Sequence, residues 1–345
     1  MSYKAIPIKL FSEDNNVPEI ETEIDLYNNI WLEMHSTNDE LILNHYTTLD
    51  GLKGIITNRS IWCTQINALN DPFEFEYGKE LIIKHLKEFI VREREPRIKS
   101  FLMDLIDFSG NAERLTTHDI FIACFCKEDN LLSQWRGYAA KGGGYNLGIL
   151  LDSDTKISSD LNNLKDYKQV ILRKIIYKQV EQDKIIELCI TNLIRGMNNA
   201  LSKWDTYIET YGPSIGAMIE LSVQNLLIDL MLSIKSHYFE EEQEWRLIRI
   251  IRWDEIPEKY KFRENNNEFI PYLNTYIHMQ DNDKHVFPLQ KIRYGPMLDK
   301  LKTKKALDLF IKNSATFPHN IGLKKDIIIK DAGYVLRGTN NCKED

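Results

Sequence analysis

The stretch Asn44-His45-Tyr46-Thr47-Thr48-Leu49-Asp50-Gly51-Leu52-Lys53-Gly54-Ile55-Ile56, entered from the apolar run Leu41-Ile42-Leu43, decides how the rest of the chain is read. The apolar run predicts a buried strand. Beyond it Leu49, Leu52, Ile55 and Ile56 fall on one face of a helix that Thr48 or Asp50 would cap. His45, Tyr46 and Thr47 therefore stand where a strand gives way to a helix. Backbone N–H groups and the positive end of a helix dipole can meet an anionic ligand at such a junction. The same residues can also close a core edge with their rings, and the triplet alone leaves both uses open.

The chain of 345 residues can bury a sizeable core as two domains or as one elaborated domain. Hydrophobic content of 43% and charged content of 28% are those of an ordinary globular protein. No apolar run reaches membrane-spanning length, and Met1-Ser2-Tyr3-Lys4 lacks a signal-peptide core, so no membrane partner is expected. Cys124 and Cys126 alternate in a strand-like segment, too near each other for an ordinary bridge. Cys63, Cys189 and Cys342 show no metal spacing. A reduced, cytoplasmic setting follows as an expectation. The net charge of −7 argues against generic nucleic-acid binding while leaving room for a local basic groove.

Residues 1–40 are polar and irregular and are expected to form an extension; an α+β body then runs over 41–345. Strands are expected near 41–46, 60–64, 120–126, 145–151, 169–177, 244–253, 272–278, 291–294 and 326–329. A long helical segment over 79–106 should break at Pro96, a short helix should cover 131–139, and a last one 298–313. Two helical segments near 181–199 and 214–236, parted by Tyr211-Gly212-Pro213, read as a helical insertion of about 181–236 packed on itself.

Three further motifs carry candidate chemistry. Asn70-Asp71-Pro72-Phe73-Glu74 predicts a rigid turn, either projecting the carboxylates of Asp71 and Glu74 or simply making a corner. In Ser133-Gln134-Trp135-Arg136-Gly137-Tyr138, Trp135 and Tyr138 share a helical face and can form a stacking wall. Lys141 and Gly142-Gly143-Gly144 follow, either as backbone amides and a charge for a pyrophosphate or as a turn requiring positive φ. In Lys235-Ser236-His237-Tyr238-Phe239-Glu240-Glu241-Glu242-Gln243-Glu244-Trp245-Arg246, a strand starting near Glu242 would put Glu242, Glu244 and Arg246 on one face. Two carboxylates so placed suit cleavage of an N-glycosidic bond, one stabilising an oxocarbenium-like transition state and the other activating an acceptor. They also suit a solvated acidic strand entry screened by Arg246. Arg246 is expected to pair with one of the motif carboxylates, Asp71 or Glu74 among them, and Lys235 to lie near the cleft.

Taken in order, the His-Tyr-Thr entry, the Asn-Asp-Pro-Phe-Glu turn, the Trp-x-x-Tyr helix before a Gly-rich strand entry and the late Glu-x-Glu-Trp-Arg resemble a widespread, poorly characterised bacterial family. Lys291-Ile292-Arg293-Tyr294-Gly295-Pro296 looks like that family's close. The His entry, central aromatics and late Glu also resemble ADP-ribosyltransferase-like folds. That resemblance implies a mixed, largely antiparallel sheet core and an enzyme that cleaves the nicotinamide–ribose bond of NAD. ADP-ribose would pass to a macromolecule or to water, as a toxin or phage-defence effector would do. By role, His45 with Tyr46 and Thr47 would hold the ribose. Trp135 or Tyr138 would stack on nicotinamide, and Lys141 and Arg246 would face the nucleotide. Glu244 would be the catalytic carboxylate and Glu242 the acceptor-side one, with NAD as substrate and no metal. The sequence lacks the Ser-Thr-Ser strand of the best-known transferases and the second Tyr that follows at helical spacing.

Two other readings stand beside it. Asp71, Glu74, Glu242 and Glu244 could hold Mg²⁺ in a phosphodiesterase or nuclease, with Lys235 on a phosphate. The same residues could serve a non-catalytic nucleotide-sensing module.

Overall fold

The computed structural model describes residues 41–69, 73–111, 118–152, 155–158, 170–203, 209, 215–252, 260–265, 267–282, 284–316, 320–324 and 326–334. The 1–40 extension, Asn70-Asp71-Pro72 and Tyr211-Gly212-Pro213 lie outside them.

Strand β1 (Leu41–Thr47) leads into helix α1 (Leu49–Asn58), whose N-cap Thr48 accepts from the Gly51 amide at 3.3 Å. Strand β2 (Ile61–Gln65) follows, then helices α2 (Phe73–Arg92) and α3 (Pro96–Gly110). The break expected at Pro96 is there because proline is tolerated at the first turn of a helix and not within one. Strand β3 (His118–Cys126), helix α4 (Leu132–Gly137) and strands β4 (Tyr145–Leu151), β5 (Lys156–Ser158) and β6 (Val170–Lys174) come next. Helices α5 (Gln179–Ser202) and α6 (Ile215–Leu232) separate β6 from its partner β7 (Glu244–Arg252). The chain closes with β8 (Lys261–Asn265), β9 (Glu268–Asp281), β10 (Lys284–Phe287), β11 (Leu289–Tyr294), helix α7 (Lys300–Thr316), β12 (Ile321–Leu323) and β13 (Ile328–Asp331).

These strands form one mixed sheet with the path β12-β10-β9-β2-β3-β1-β4-β11-β13. The β10·β12 and β11·β13 pairs are parallel, and the other pairings are antiparallel. Strands β3 and β7 are paired along their whole length and covered on both faces. That burial explains their nearly continuous apolar runs. Ile120 and Ile122 of β3, with Ile248 and Ile250 of β7, face a helical layer built from α2, α3, α5 and α6. Phe121, Ala123 and Phe125, with Trp245 and Leu247, face a second core completed by α1, α7 and other strands. Helices α5 and α6 do not form a self-contained pair as expected. Both pack on α2 and α3, which already cover the sheet and offer a ready apolar face. No helix among the described residues is long and apolar enough to cross a membrane.

Candidate functional site

Strand β3 has two edges. One is occupied by β7 from His118 to Cys126. On the other, β2 pairs at Phe121 and Ile122 and β1 at Cys126, which leaves a step between them. His45 fills that step: its Nδ1–H donates to the Cys124 carbonyl at 2.8 Å, and its ring lies 5.5 Å from that of Phe125. Burial lowers the His45 pKa against the opposing pull of that hydrogen bond, with Arg263 also lowering it. The imidazole is thus held neutral with Nε2 as an acceptor.

Its neighbours in the motif have structural work. The Tyr46 hydroxyl donates to the Glu128 carbonyl at 3.0 Å and accepts from the Leu131 amide at 2.9 Å. Burial pushes its pKa up. Asn44 donates to the Lys127 carbonyl at 2.9 Å and Asn146 to the Asp129 carbonyl at 2.7 Å. Lys291 and Arg293 grip the Asp129 carboxylate. Side chains from β1, β4 and β11 together fasten loop 127–131 onto the sheet, and that loop delivers α4. Trp135 is fully buried on α4, donating its indole N–H to Asn130 at 2.9 Å and standing edge-on to Tyr46. The expected stacking wall of Trp135 and Tyr138 is therefore not formed: Trp135 is core, and Tyr138 alone is at the surface, 38% exposed.

Of the two uses open to Gly142–Gly144, the structure takes the turn and not the pyrophosphate cradle. The amides of Gly142 and Gly144 donate to the Ala139 carbonyl and that of Gly143 to Ala140, so the turn consumes them. A Cβ on Gly144 would lie 2.4 Å from the Thr47 carbonyl, and one on Gly295 2.2 Å from the Gly142 carbonyl. These glycines permit three backbone segments to touch. Lys141 is exposed at φ 53°, and Thr47 packs under this contact and against Gly51.

The charged cluster lies at the start of β7. The strand begins at Glu244, not near Glu242: residues His237–Glu242 form a 3₁₀ turn, and Gln243 at φ 42° swings the chain into the strand. Both carboxylates nevertheless reach Lys235, whose Nζ lies 2.5 Å from Glu242 Oε2 and 3.1 Å from Glu244 Oε2. Lys235 is buried and placed by its amide's bond to the Ile176 carbonyl and by Gln182 of α5, which donates to the Ile176 and Lys235 carbonyls. Arg246 donates to both oxygens of Glu244, through Nε at 2.8 Å and Nη2 at 3.1 Å, and to the Leu232 carbonyl. Among the described residues its carboxylate partner is Glu244, two residues away on the same face; Asp71 and the Glu74 side chain lie outside the described residues. Burial works to raise the Glu244 pKa, but Arg246 and Lys235 outweigh it and hold the carboxyl down to about 2. The Glu244 amide donates to Tyr177 Oη at 2.9 Å.

Glu242 is the one carboxylate of this pair that reaches the surface, with 17% of its side chain exposed. Its Oε1 accepts from Tyr138 Oη at 3.2 Å. The ring of Phe239, also at the surface, covers Lys235 at 4.6 Å. Tyr138, Glu242, Lys235, Glu244 and Arg246 thus form one chain from solvent to core.

A DUF2971 domain, described as a protein of unknown function, is found over residues 134–247. That stretch contains Trp135, Tyr138, Lys141, Lys235, Glu242, Glu244 and Arg246, and excludes His45 and Gly295. No curated protein and no solved structure matches the chain.

His45 does not join this cluster. Register puts Asn44, Cys126 and Glu244 on one face of the sheet, so His45 shares the other face with Phe125 and Trp245. Among the described residues no group of three or more His, Cys, Asp or Glu side chains is arranged to hold a metal ion. A cleft of about 480 Å³ opens between the β11 end and α7, lined by residues such as Tyr294, Pro296, Asp331 and Tyr334 and by none of the cluster. Sequence reading missed Asn44, Asn146, Gln182, Tyr177 and Phe239. The signal available for the first two was a polar residue at an otherwise apolar strand position.

Proposed function

We propose that the protein is an ADP-ribosyltransferase-like enzyme whose ligand-facing carboxylate is Glu242, with Glu244 as its buried electrostatic support. The observation that carries this reading is the pair of contacts on Glu242: Lys235 holds one oxygen while the partly exposed Tyr138 hydroxyl holds the other. A ligand that takes the place of the Tyr138 hydroxyl would meet a carboxylate already fixed in position. Breaking the C1′–nicotinamide bond of NAD leaves positive charge on the ribose, and a fixed anion lowers that barrier. Nicotinamide leaves with the bonding electrons, and C1′ is taken by water or by a nucleophile on a macromolecule. The Tyr138 ring offers the leaving group a stacking surface. Measuring nicotinamide release from NAD tests this: Glu242→Gln should lower the rate by roughly 10²–10³. No release from wild type with acceptors present would end the reading.

A second reading, a nucleotide-sensing module without turnover, is favoured by one feature. Both oxygens of Glu244 are occupied by Arg246 and Lys235, as in a structural ion-pair network. NAD binding that is unchanged in Glu242→Gln, with no release from either protein, would select it.

A further inference from the structure

The outer face of α7 carries a feature that the cluster does not use. The helix buries Leu307 and Ser314 and rests Phe310 and Ile311 against the second core. On the opposite side Leu301, Lys302, Lys305, Leu309 and Lys312 fall within about 100° of arc at 100° per residue. Leu301 is 85% and Leu309 61% exposed, and the three lysines are exposed beside them. The sole acid of the helix, Asp308, is half-buried at the edge of this arc. In a chain of net charge −7, this is a local concentration of positive charge carrying bare leucines.

We propose that this ridge docks on an anionic lipid surface. Lysines alone would suit any polyanion, but a phosphate backbone gains nothing from leucines at these positions. A bilayer interface rewards both, accepting leucine side chains below headgroups that attract lysine. Such contact is peripheral and requires no spanning helix.

The test is co-sedimentation of the full chain with phosphatidylcholine vesicles, with and without about one-third phosphatidylglycerol. Wild type should bind the anionic vesicles alone, less tightly as salt rises. Reversing the charges, K302E/K305E/K312E, should weaken binding by at least roughly a hundredfold, since losing each lysine costs about fivefold and each glutamate adds repulsion. Leu301→Ser with Leu309→Ser should weaken it roughly tenfold while the salt dependence persists. Circular dichroism checks that the variants are folded; if the triple variant is not, Lys305→Glu alone carries the charge arm. No binding to anionic vesicles at low salt overturns the proposal. So does binding indifferent to both sets of changes, or binding to duplex DNA and not to vesicles.

Discussion

His45 and Glu244 lie on opposite faces of strand β3 and meet in one residue: the Cys124 carbonyl accepts from the imidazole, and the Cys124 side chain hydrogen-bonds Glu244. The two ends of the sequence pattern are thus tied through the sheet rather than across an open cleft. His45→Ala would remove the imidazole's hydrogen bond to the Cys124 carbonyl in the step between β1 and β2, at a cost of about 0.5–1.5 kcal/mol. Chemical denaturation should register that loss. Because His45 lies on the face away from Glu242 and Tyr138, the variant should leave the KM for NAD unchanged, and a raised KM in an equally folded protein would contradict a purely structural role.

Glu242→Gln and Glu244→Gln should separate activity from stability. Glu244 neutralises two buried cations, and removing its charge leaves Lys235 and Arg246 undercompensated, a loss of about 3–5 kcal/mol. Glu242 is nearer solvent, so its substitution should leave the melting temperature close to wild type while lowering nicotinamide release by roughly 10²–10³. Equal destabilisation by both would show the carboxylates to be one structural unit.

Acid sensitivity follows from the same pair. The Glu244 pKa is about 2 in the fold against an ordinary 4.5, so the unfolded chain binds the proton more readily between those values. The stabilisation is complete above about pH 4.5 and drains away as pH falls toward 2, on the order of a few kcal/mol. Wild type should therefore lose stability faster than Glu244→Gln over that window. Parallel stability curves would argue that the ion pairs contribute nothing net.

Short apolar runs bounded by polar or turn residues made β1, β3, β4 and β7 legible, and Pro96 marked the α2–α3 break. Short strands such as Lys156–Ser158 and Ile321–Leu323 were not legible, because three residues hold too little of a period-two pattern to stand out. The late carboxylates could be picked out, yet their setting could not: Gln243 turns the chain in a left-handed conformation, and the buried approach of Lys235 depends on Ile176 and Gln182, distant in sequence. Trp135 and the glycines each admitted two readings for a common reason. An aromatic beside a Gly-rich turn has the same spacing whether it faces a ligand or a core.

Tyr46→Phe isolates the loop-fastening role. The hydroxyl serves two backbone partners, the Glu128 carbonyl and the Leu131 amide, and phenylalanine satisfies neither. A loss of about 1–3 kcal/mol is expected. Hydrogen exchange should accelerate most at Leu131 and along α4. Exchange raised equally throughout the sheet would place the damage in general packing instead.

The turn after α4 gives the last prediction, and it pairs two opposite substitutions. Lys141 occupies a left-handed backbone position, where glycine is less strained. Lys141→Gly should relieve about 1 kcal/mol of strain, partly offset by the freedom that glycine gains in the unfolded chain. Its stability should therefore stay within about 1 kcal/mol of wild type. Gly144→Ala should do the reverse, because its Cβ would press against the Thr47 carbonyl and Ala139, main-chain atoms that cannot swing aside. Overpacking of that kind costs about 1–3 kcal/mol. Nicotinamide release then discriminates the role of the lysine: Lys141→Gly should retain it if the residue only shapes the turn. A large rise in the KM for NAD in an equally stable Lys141→Gly protein would show that its charge meets the nucleotide.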